Sequence, residues 1–491
     1  MKLRIKNLNW FAGRPVVILN DKTCRKLNIF VNDRISMMNS RKVYAVVDIF
    51  PKLIKENEIG LSRELSHLLK MKNDALIEVS PAELSPASYL INKKINGARL
   101  NKEELEYVIS EIVSNNLTEA EIAYFTAAEK IHGMSIKEVI NLTQAMVNTG
   151  ARLNFKEKFV ADKHCIGGIA GNRTTPIVTS ICASAGLTIP KTSSRAITSA
   201  SGTADVIETL SNVELSIEGI KEVVKKTGAC LAWGGALGLA PSDDKIIRVE
   251  RILNLDAEPQ LLASIMSKKV SVGSKYVLID IPYGEHSKVK TLEEAKKLGS
   301  KFKRIAKSFR IKLKAVYTDG SQPIGNGIGP TLELLDVISV LKNLPSAPKD
   351  LKEKSVYLSS ELMKLCGIKD SSKKINDILE SGKAYEKFIE ILSAQDKSDV
   401  EKKIPELRLG RFNKVIKANY SGEIYSISNN KLNALSRILG TPETKSAGVY
   451  LHKHKGPVNK NENLLTLYSE SKSKLKEGIK FIKISRPIRI K

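Results

Sequence analysis

Alternating apolar and polar positions dominate the first part of the chain. Short runs rich in β-forming residues, separated by turn residues, occupy positions 3–5, 16–19, 35–38, 43–50 and 75–79. Such runs are typical of short strands in a small sheet. They predict a small N-terminal β-rich domain of barrel type over residues 1–84. Two prolines within residues 80–86 predict a linker at its end.

The hydrophobic period changes to that of helices from residue 88 to residue 151. Asn101 is followed by Glu104, and Thr118 is followed by Glu121. At this spacing the two residues of each pair can cap the start of a helix reciprocally. We therefore expect a helical lobe over residues 85–160, completed by residues of about 225–270.

Strand-like and helix-like segments alternate from residue 170 to residue 344, with candidate strands at 276–281 and 311–317. This alternation predicts a parallel sheet with crossover helices. A lysine-rich helical run at 350–394 precedes further strand-like runs at 422–427 and 448–451. We expect a multidomain α/β protein, with a large α/β domain of mixed or parallel sheet over residues 161–404 and a C-terminal α+β domain over residues 405–491.

Composition places the chain among soluble globular proteins with aliphatic cores, because 42% of its 491 residues are hydrophobic and 5% are aromatic. The N-terminus lacks the apolar core of a signal peptide, and no stretch approaches the roughly 20 apolar residues that span a bilayer. Five scattered cysteines without a CxxC pair indicate a reducing compartment and argue against a zinc site. We expect a cytoplasmic protein with no membrane partner and no bound metal.

The formal net charge of +26 permits a nucleic-acid-binding protein. Such proteins concentrate their charge in patches beside stacking aromatic residues, whereas these lysines are spread through amphipathic helices and loops. We therefore favour solvated basic faces and a small anionic substrate, and we do not expect a nucleic-acid partner. Salt-sensitive binding of nucleic acid without enzymatic activity would support the alternative.

Residues 162–175, Asp-Lys-His-Cys-Ile-Gly-Gly-Ile-Ala-Gly-Asn-Arg-Thr-Thr, combine an extended approach, a glycine-rich turn and the start of a helix. Glycines let the backbone approach an anion, and the first helical turn offers free N–H donors. Lys163 and Thr174 would add a charge and a hydroxyl group. A turn that merely connects two elements is an equal alternative for this motif alone.

A second group of possible anion ligands follows about twenty residues downstream. Residues 189–205 contain one arginine and several hydroxyl side chains, namely Ser193, Ser194, Arg195, Thr198, Ser199 and Thr203. Arginine can hold a phosphate bidentately. A Ser/Thr-rich surface loop is the alternative, but its proximity to the glycine-rich turn favours a phosphate site.

These motifs together resemble the thymidine phosphorylase family. The family pattern Lys-His-Ser-Thr-Gly-Gly, then Ser-Gly-Arg, then Gly-Thr-x-Asp is matched here by Lys-His-Cys-Ile-Gly-Gly at 163–168, Ser-Ser-Arg at 193–195 and Gly-Thr-Ala-Asp at 202–205. The departures from the pattern are similar to the archaeal branch of the family that acts on AMP. The resemblance covers roughly residue 85 to the C-terminus, and the N-terminal extension is also similar to that branch.

The resemblance implies roles for individual residues. Lys163, Thr174 and Ser193 match positions that hold orthophosphate, and Thr203 matches a position of either substrate. The positions that bind AMP in the branch are matched by Gly168, Ser194, Arg195, Ala196, Ile197, Thr198, Ser199, Thr203, Ser264 and Lys288. Cys165 replaces a phosphate-binding serine of the family, and we assign His164 to positioning because orthophosphate needs little deprotonation.

The resemblance makes Asp256 the proton donor to the departing base. From the residues alone, an ordinary acidic residue at the start of a helix is the better interpretation. Ser264 and Lys268 lie one helical turn apart, as do the base-reading serine and lysine of the family. The pyrimidine-reading arginine of the family has no clean match, because Arg248 and Arg251 flank the aligned position.

The implied reaction is reversible phosphorolysis of AMP, with CMP and UMP also accepted, to a free base and ribose 1,5-bisphosphate. It requires no cofactor. The expected partners are nucleoside 5′-monophosphates, orthophosphate and further copies of the chain in a homodimer or larger homo-oligomer. The resemblance to the family also implies that the helical lobe closes on the α/β lobe. A pyrimidine nucleoside phosphorylase is the main alternative, and a phosphoribosyltransferase would need acidic Mg²⁺ ligands that are not evident.

Overall fold

The computed structural model describes residues 1–39, 42–83, 85–196, 199–253 and 255–491. The chain divides into two compact units. The first consists of Met1–Thr149 and Pro241–Leu261, and the second consists of Gly150–Ala240 and Leu262–Lys491. The mixed α/β class and a helical bundle, both expected from the sequence, are present.

The N-terminal strands close into a six-stranded barrel in the order β1-β5-β2-β4-β3-β6. Its strands are β1 Lys2–Asn7, β2 Val16–Leu19, β3 Arg34–Met38, β4 Lys42–Ile49, β5 Glu58–Leu61 and β6 Leu76–Pro81. Inward-facing residues such as Leu3, Ile35 and Val79 are fully buried, which is the result of the alternation in the sequence. The sequence did not predict β5, nor the two short helices α1 Asp21–Leu27 and α2 Arg63–Leu69.

Four helices follow the barrel in the first unit, and they are α3 Pro86–Ile95, α4 Lys102–Val113, α5 Glu119–His132 and α6 Ile136–Asn148. Both predicted capping boxes are present, at Asn101 with Glu104 and at Thr118 with Glu121. The later helix Pro241–Leu253 belongs to this unit and contacts α4, α5 and α6.

Parallel strands form the framework of the second unit. The elements in chain order are β7 Ala161–Cys165, α7 Thr174–Ser184, β8 Ile189–Ser193, α8 Thr203–Ile207, α9 Ile217–Thr227, β9 Ala229–Trp233, α10 Pro241–Leu253 of the first unit, α11 Glu258–Val272, β10 Tyr276–Tyr283, α12 Leu292–Ser308 and β11 Lys312–Asp319. Strands β11, β10 and β7 pair in parallel, as do β8 and β9. The predicted parallel pairing of the strands at 276–281 and 311–317 is therefore confirmed.

Helix α7 is almost entirely buried, since ten of its eleven residues are buried. Its sequence has apolar or small side chains all round, which is typical of a helix inside a core. It packs against two helices from much later in the chain, α14 Lys349–Leu365 and α16 Lys383–Asp396. This packing fixes the first turn of α7, where the glycine-rich turn ends.

The remaining elements are β12 Gly327–Ile328, α13 Pro330–Leu341, α15 Ser371–Glu380, β13 Phe412–Lys417, β14 Gly422–Ile427, α17 Asn429–Leu439, β15 Gly448–Leu451, β16 Gly456–Val458, β17 Asn463–Ser469, α18 Lys472–Ser485 and β18 Ile488–Ile490, with two 3₁₀ helices at Gly234–Leu237 and Val400–Glu406. Strand β12 pairs with β15 and thereby joins the antiparallel sheet formed by the C-terminal residues. Within the described ranges, no helix has both the length and the apolar character needed to cross a membrane.

Candidate active site

The glycine-rich turn connects the carboxyl end of β7 to the first residue of α7, as the sequence predicts. Gly168 has a φ of +90°, and a Cβ there would lie 2.8 Å from the backbone nitrogen of Lys288. Gly171 has a φ of +69°, and its Cβ would lie 2.5 Å from the carbonyl oxygen of Ile324. Only glycine satisfies both the backbone conformation and the close approach. The turn also brings together Gly168 and Lys288, two of the predicted AMP-binding residues.

Lys163 and Thr174 meet across this turn. The Nζ atom of Lys163 donates a hydrogen bond to Oγ1 of Thr174 at 2.6 Å, and both side chains are buried. Burial lowers the pKa of Lys163 to about 8, although the nearby Asp280 carboxylate opposes this shift. A buried cation at the first turn of a core helix forms a strong site for a small anion.

Ser193 and Thr203 lie at the end of β8 and the start of α8. The Oγ atom of Ser193 is buried and has no hydrogen-bond partner among the described residues. Thr203 Oγ1 accepts a hydrogen bond of 2.9 Å from Arg173 Nη1. A buried hydroxyl group without a partner is costly, so the Ser193 side chain is suited to receive a ligand.

Arg173 connects the two predicted anion-binding segments, and the sequence did not predict a role for it. Its Nε donates to Glu333 Oε2 at 2.6 Å, and its Nη2 donates to the Ser201 carbonyl oxygen at 2.9 Å. Glu333 in turn accepts hydrogen bonds from Ser201 Oγ at 2.5 Å and from the Gly329 amide at 3.0 Å. The side chains of Arg173 and Glu333 are only 10% and 1% exposed. In the sequence, a single arginine within a turn of small and apolar residues was the available indication that this side chain forms a buried ion pair.

A buried carboxylate lies beside Lys163 on β7. Asp162 pairs with Lys191 Nζ at 2.9 Å and with Lys269 Nζ at 2.6 Å. Burial alone would raise the pKa of Asp162, but the two ammonium groups outweigh it and lower this pKa. Burial also lowers the pKa of Lys269 to about 7. Burial and the surrounding lysines lower the pKa of His164 well below its usual value, so its imidazole is neutral at pH 7.

Cys165, predicted from the sequence resemblance to replace a phosphate-binding serine, lies at the end of β7. Its Sγ accepts a hydrogen bond of 3.4 Å from Asn172 Nδ2. Burial raises the pKa of the Cys165 thiol, and the negative charge of Asp280 adds to this shift. The side chain is therefore a neutral thiol, which is a much weaker hydrogen-bonding group than a serine hydroxyl.

Carboxylates engage the guanidinium group of Arg195. Its Nη atoms donate to the two carboxylate oxygens of Glu208 at 2.7 and 2.5 Å, and Nη2 also donates to Glu214 at 3.0 Å. The group lies 4.6 Å from the ring centroid of Trp233. The hydrogen bonds from Arg195 lower the pKa of Glu208 to about 2. The assignment of Arg195 to a phosphate thus stays a prediction. It requires that a phosphate replace one of the carboxylates now bound to the guanidinium group.

The rest of the second predicted anion segment is held by its own chain. Asp205 Oδ2 accepts hydrogen bonds from the backbone amides of Ala196 at 2.7 Å and Gly202 at 2.8 Å. Ser199 Oγ donates to the Ser201 carbonyl oxygen at 2.9 Å. Ser194 follows β8 directly. The predicted residues Ile197 and Thr198 lie outside the described residues.

The predicted acid Asp256 belongs to the first compact unit, just before α11. Its backbone carbonyl oxygen accepts a hydrogen bond of 2.7 Å from Lys130 Nζ. Ser264 and Lys268 lie one turn apart on α11, in the second unit, and both are half-buried. Their roles stay predictions. Among the described residues, no cluster of three or more His, Cys, Asp or Glu side chains is arranged to hold a metal ion.

The family models and the relatives found by comparison with known proteins agree with one another. Two models of a glycosyl transferase family match, the helical bundle domain at residues 88–150 and the α/β domain at residues 157–385. An AMP phosphorylase of Thermococcus kodakarensis is 40% identical, with coverage of 100% of this chain and 98% of the relative. A Legionella pneumophila protein with the provisional name of a thymidine phosphorylase is also 40% identical, with coverage of 96% and 92%.

A crystal structure of anthranilate phosphoribosyltransferase from Thermus thermophilus shares the fold. It superposes with a TM-score of 0.52 and 16% sequence identity, and the alignment covers 62% of this chain and 98% of that chain. At this identity the likeness concerns the arrangement of the chain alone.

Proposed function

The chain belongs to a glycosyl transferase family in which several archaeal relatives are named AMP phosphorylase, and from this membership we propose that it catalyses the reversible phosphorolysis of AMP. Orthophosphate is the second substrate, and the products are adenine and ribose 1,5-bisphosphate. CMP and UMP are proposed as further substrates. In the forward reaction a C1′–O bond to phosphate forms as the C1′–N bond breaks, and its electron pair leaves with the base.

One observation carries the proposal. A buried lysine, Lys163, lies 2.6 Å from the Thr174 hydroxyl at the first turn of a core helix, and the buried Ser193 hydroxyl has no partner among the described residues. A small, doubly charged anion supplies the acceptors that these donors need. Orthophosphate has the size and charge for such a site, and it is the nucleophile in the proposed reaction.

Catalysis in this scheme comes mainly from positioning. The Arg173–Glu333 pair fixes Thr203 before the substrate arrives, so little reorganisation is needed during reaction. Lys163 balances the charge of the phosphate. We assign to Asp256 the protonation of the departing base, a type of contribution that is typically worth roughly 10²–10⁴-fold.

We propose that the 5′-phosphate of AMP exchanges with a carboxylate at Arg195. Glu214 is the more exposed of the partners hydrogen-bonded to it, with 57% of its side chain accessible against 31% for Glu208. An incoming phosphate can therefore replace Glu214 while the bidentate pair with Glu208 is kept. Gly168 and Lys288, adjacent at the glycine-rich turn, are proposed to contact the nucleotide from the other predicted segment.

The test is a base-release assay with AMP, CMP, UMP, adenosine, uridine and thymidine at fixed phosphate. We expect the nucleotides to be preferred. Arg195→Ala should impair turnover of AMP much more than turnover of uridine, while Arg304→Ala on the exposed face of α12 should affect neither. A preference for thymidine or uridine would instead identify a pyrimidine nucleoside phosphorylase, and equal losses for AMP and uridine would reject the role of Arg195.

We also propose that the chain acts as a homodimer or larger homo-oligomer in the cytoplasm. The N-terminal barrel is assigned to assembly because it lies outside the segments matched by the two family models. Removal of residues 1–84 should reduce the mass of the assembly measured by light scattering. An unchanged number of chains would reject this role of the barrel.

A further inference from the structure

A cavity of about 450 Å³ lies within the first unit, between the barrel and the helical bundle. Arg14, Arg34 and Tyr44 line it from the barrel, and Lys245 and Arg248 line it from α10. Its size is within the range of small-molecule sites in proteins, about 300–1,000 Å³. None of these residues takes part in the proposed phosphorolysis.

The lining of this cavity is predominantly cationic. Four arginine and lysine side chains and His67 line it together with two acidic side chains, Glu64 and Glu119. The Glu64 carboxylate is already engaged, because it accepts hydrogen bonds from the backbone amides of Ala12 at 3.3 Å and Gly13 at 2.5 Å. Lys245 is engaged as well, because its Nζ donates hydrogen bonds to the carbonyl oxygens of Ile112 and Val113 and to Asn115 Oδ1. With Glu121, which pairs with Arg34, three carboxylates stand against four arginine and lysine side chains. The remaining excess of positive charge favours an anionic ligand.

Arg34 gives a second and independent indication of an anionic ligand. Its side chain is 10% exposed and forms an ion pair of 3.3 Å between Nη2 and Glu121 Oε2. Its Nη1 atom is buried and has no hydrogen-bond partner among the described residues. A buried guanidinium nitrogen without an acceptor costs free energy, and the planar fork of arginine fits phosphate oxygens well. An anionic ligand would supply the missing acceptor.

Part of the lining is apolar. The lining includes Leu117 and Ile122 from the bundle side and Tyr44, Val46 and Leu68 from the barrel side. Such a surface accommodates a flat ring beside the charged end of a ligand. We propose that this cavity is a second ligand site that binds a small organic phosphate with a flat ring, of the size of a nucleoside monophosphate. It is distinct in all its residues from the site around Lys163.

The experiment is a calorimetric titration of the full-length protein with AMP in a buffer without phosphate or sulfate, so that no turnover occurs. We expect two molecules of AMP per chain. Arg34→Met should remove one of them or weaken it by about tenfold or more, since a charge-assisted contact is lost. Arg248→Met, at an exposed residue of the same cavity, should weaken the same site without a risk to folding.

The matched control is Arg25→Met, which removes the same charge from an exposed barrel helix outside the cavity. It should leave both sites unchanged. One bound molecule per chain in the unaltered protein, or two equally tight sites in both Arg34→Met and Arg248→Met, would overturn the proposal. If the unaltered protein releases no base from AMP, and Arg34→Met still binds one AMP molecule fewer than the unaltered protein, the phosphorylase function is refuted and the second site is supported.

Discussion

Replacement of Arg173 by methionine tests how the candidate active site is held. The change removes three hydrogen bonds of 2.6–2.9 Å, to Glu333, Thr203 and Ser201. It leaves the Glu333 carboxylate, 1% exposed, without its cation. Loss of one partner from a buried ion pair typically costs about 3–5 kcal/mol. We expect Arg173→Met to lower the free energy of unfolding by that amount.

The double variant Arg173→Met with Glu333→Gln separates stability from function. The neutral amide no longer needs a counter-charge, and its oxygen can still accept from the Gly329 amide. Most of the lost stability should therefore return. The KM for orthophosphate should stay raised by about tenfold, equivalent to about 1.4 kcal/mol, because Thr203 has still lost its donor.

Urea unfolding and base-release kinetics measure the two effects. Arg304→Met on α12 removes an exposed arginine from the same unit and should change neither quantity by more than about 0.5 kcal/mol. The reasoning would be refuted by a double variant as unstable as the single one, or by a normal KM for orthophosphate in Arg173→Met.

Three further predictions concern individual groups. Ser193→Ala should raise the KM for orthophosphate with little change in the urea midpoint, since its hydroxyl has no partner in the described structure; a normal KM would remove it from the site. Sulfate keeps its charge between pH 6 and 10, so its inhibition constant should rise as the pH passes about 8 and Lys163 loses its proton; a constant value would show that Lys163 is not the ligand. Burial, followed by repulsion from neighbouring carboxylates, raises the pKa of Glu129 well above 4.5, so the folded state binds its proton more tightly than the unfolded state. The free energy of unfolding should consequently fall as the pH rises above 4.5. Glu129→Gln should be more stable than the unaltered protein at pH 7.5 but not at pH 4.5. Urea unfolding curves of both proteins at the two pH values would detect or exclude this difference.

The sequence predicted those parts of the molecule that depend on neighbours along the chain. The barrel strands and the capping boxes at Asn101 and Thr118 follow from local patterns, and so does the glycine-rich turn before α7. Strand β5 was missed because it has four residues, one of them a glycine, and shows no alternation. Its strand conformation is imposed by pairing with β1 and β2.

The charged partners inside the second unit could not be predicted in the same way. Arg173 and Glu333 are 160 residues apart, and Lys269 and Asp162 are 107 residues apart, so no local pattern joins them. Arg195 differs from these residues, because its partner is close to it in the sequence. Its partner Glu208 lies only 13 residues downstream, but the hydroxyl groups around Arg195 indicated a phosphate site and so obscured the carboxylates within its reach.

The division of the chain between the two units has a consequence for synthesis on the ribosome. The barrel is continuous and can close as soon as β6 has emerged, whereas α10, which buries Ile246 and Val249, reaches the bundle only after Gly150–Ala240 has been made. At roughly 5–20 residues per second, the α3–α6 helices wait for seconds with an apolar face uncovered. A nascent chain stalled at residue 240 should therefore hold a finished barrel beside an unfinished bundle, and this is the interval in which a chaperone would find the protein.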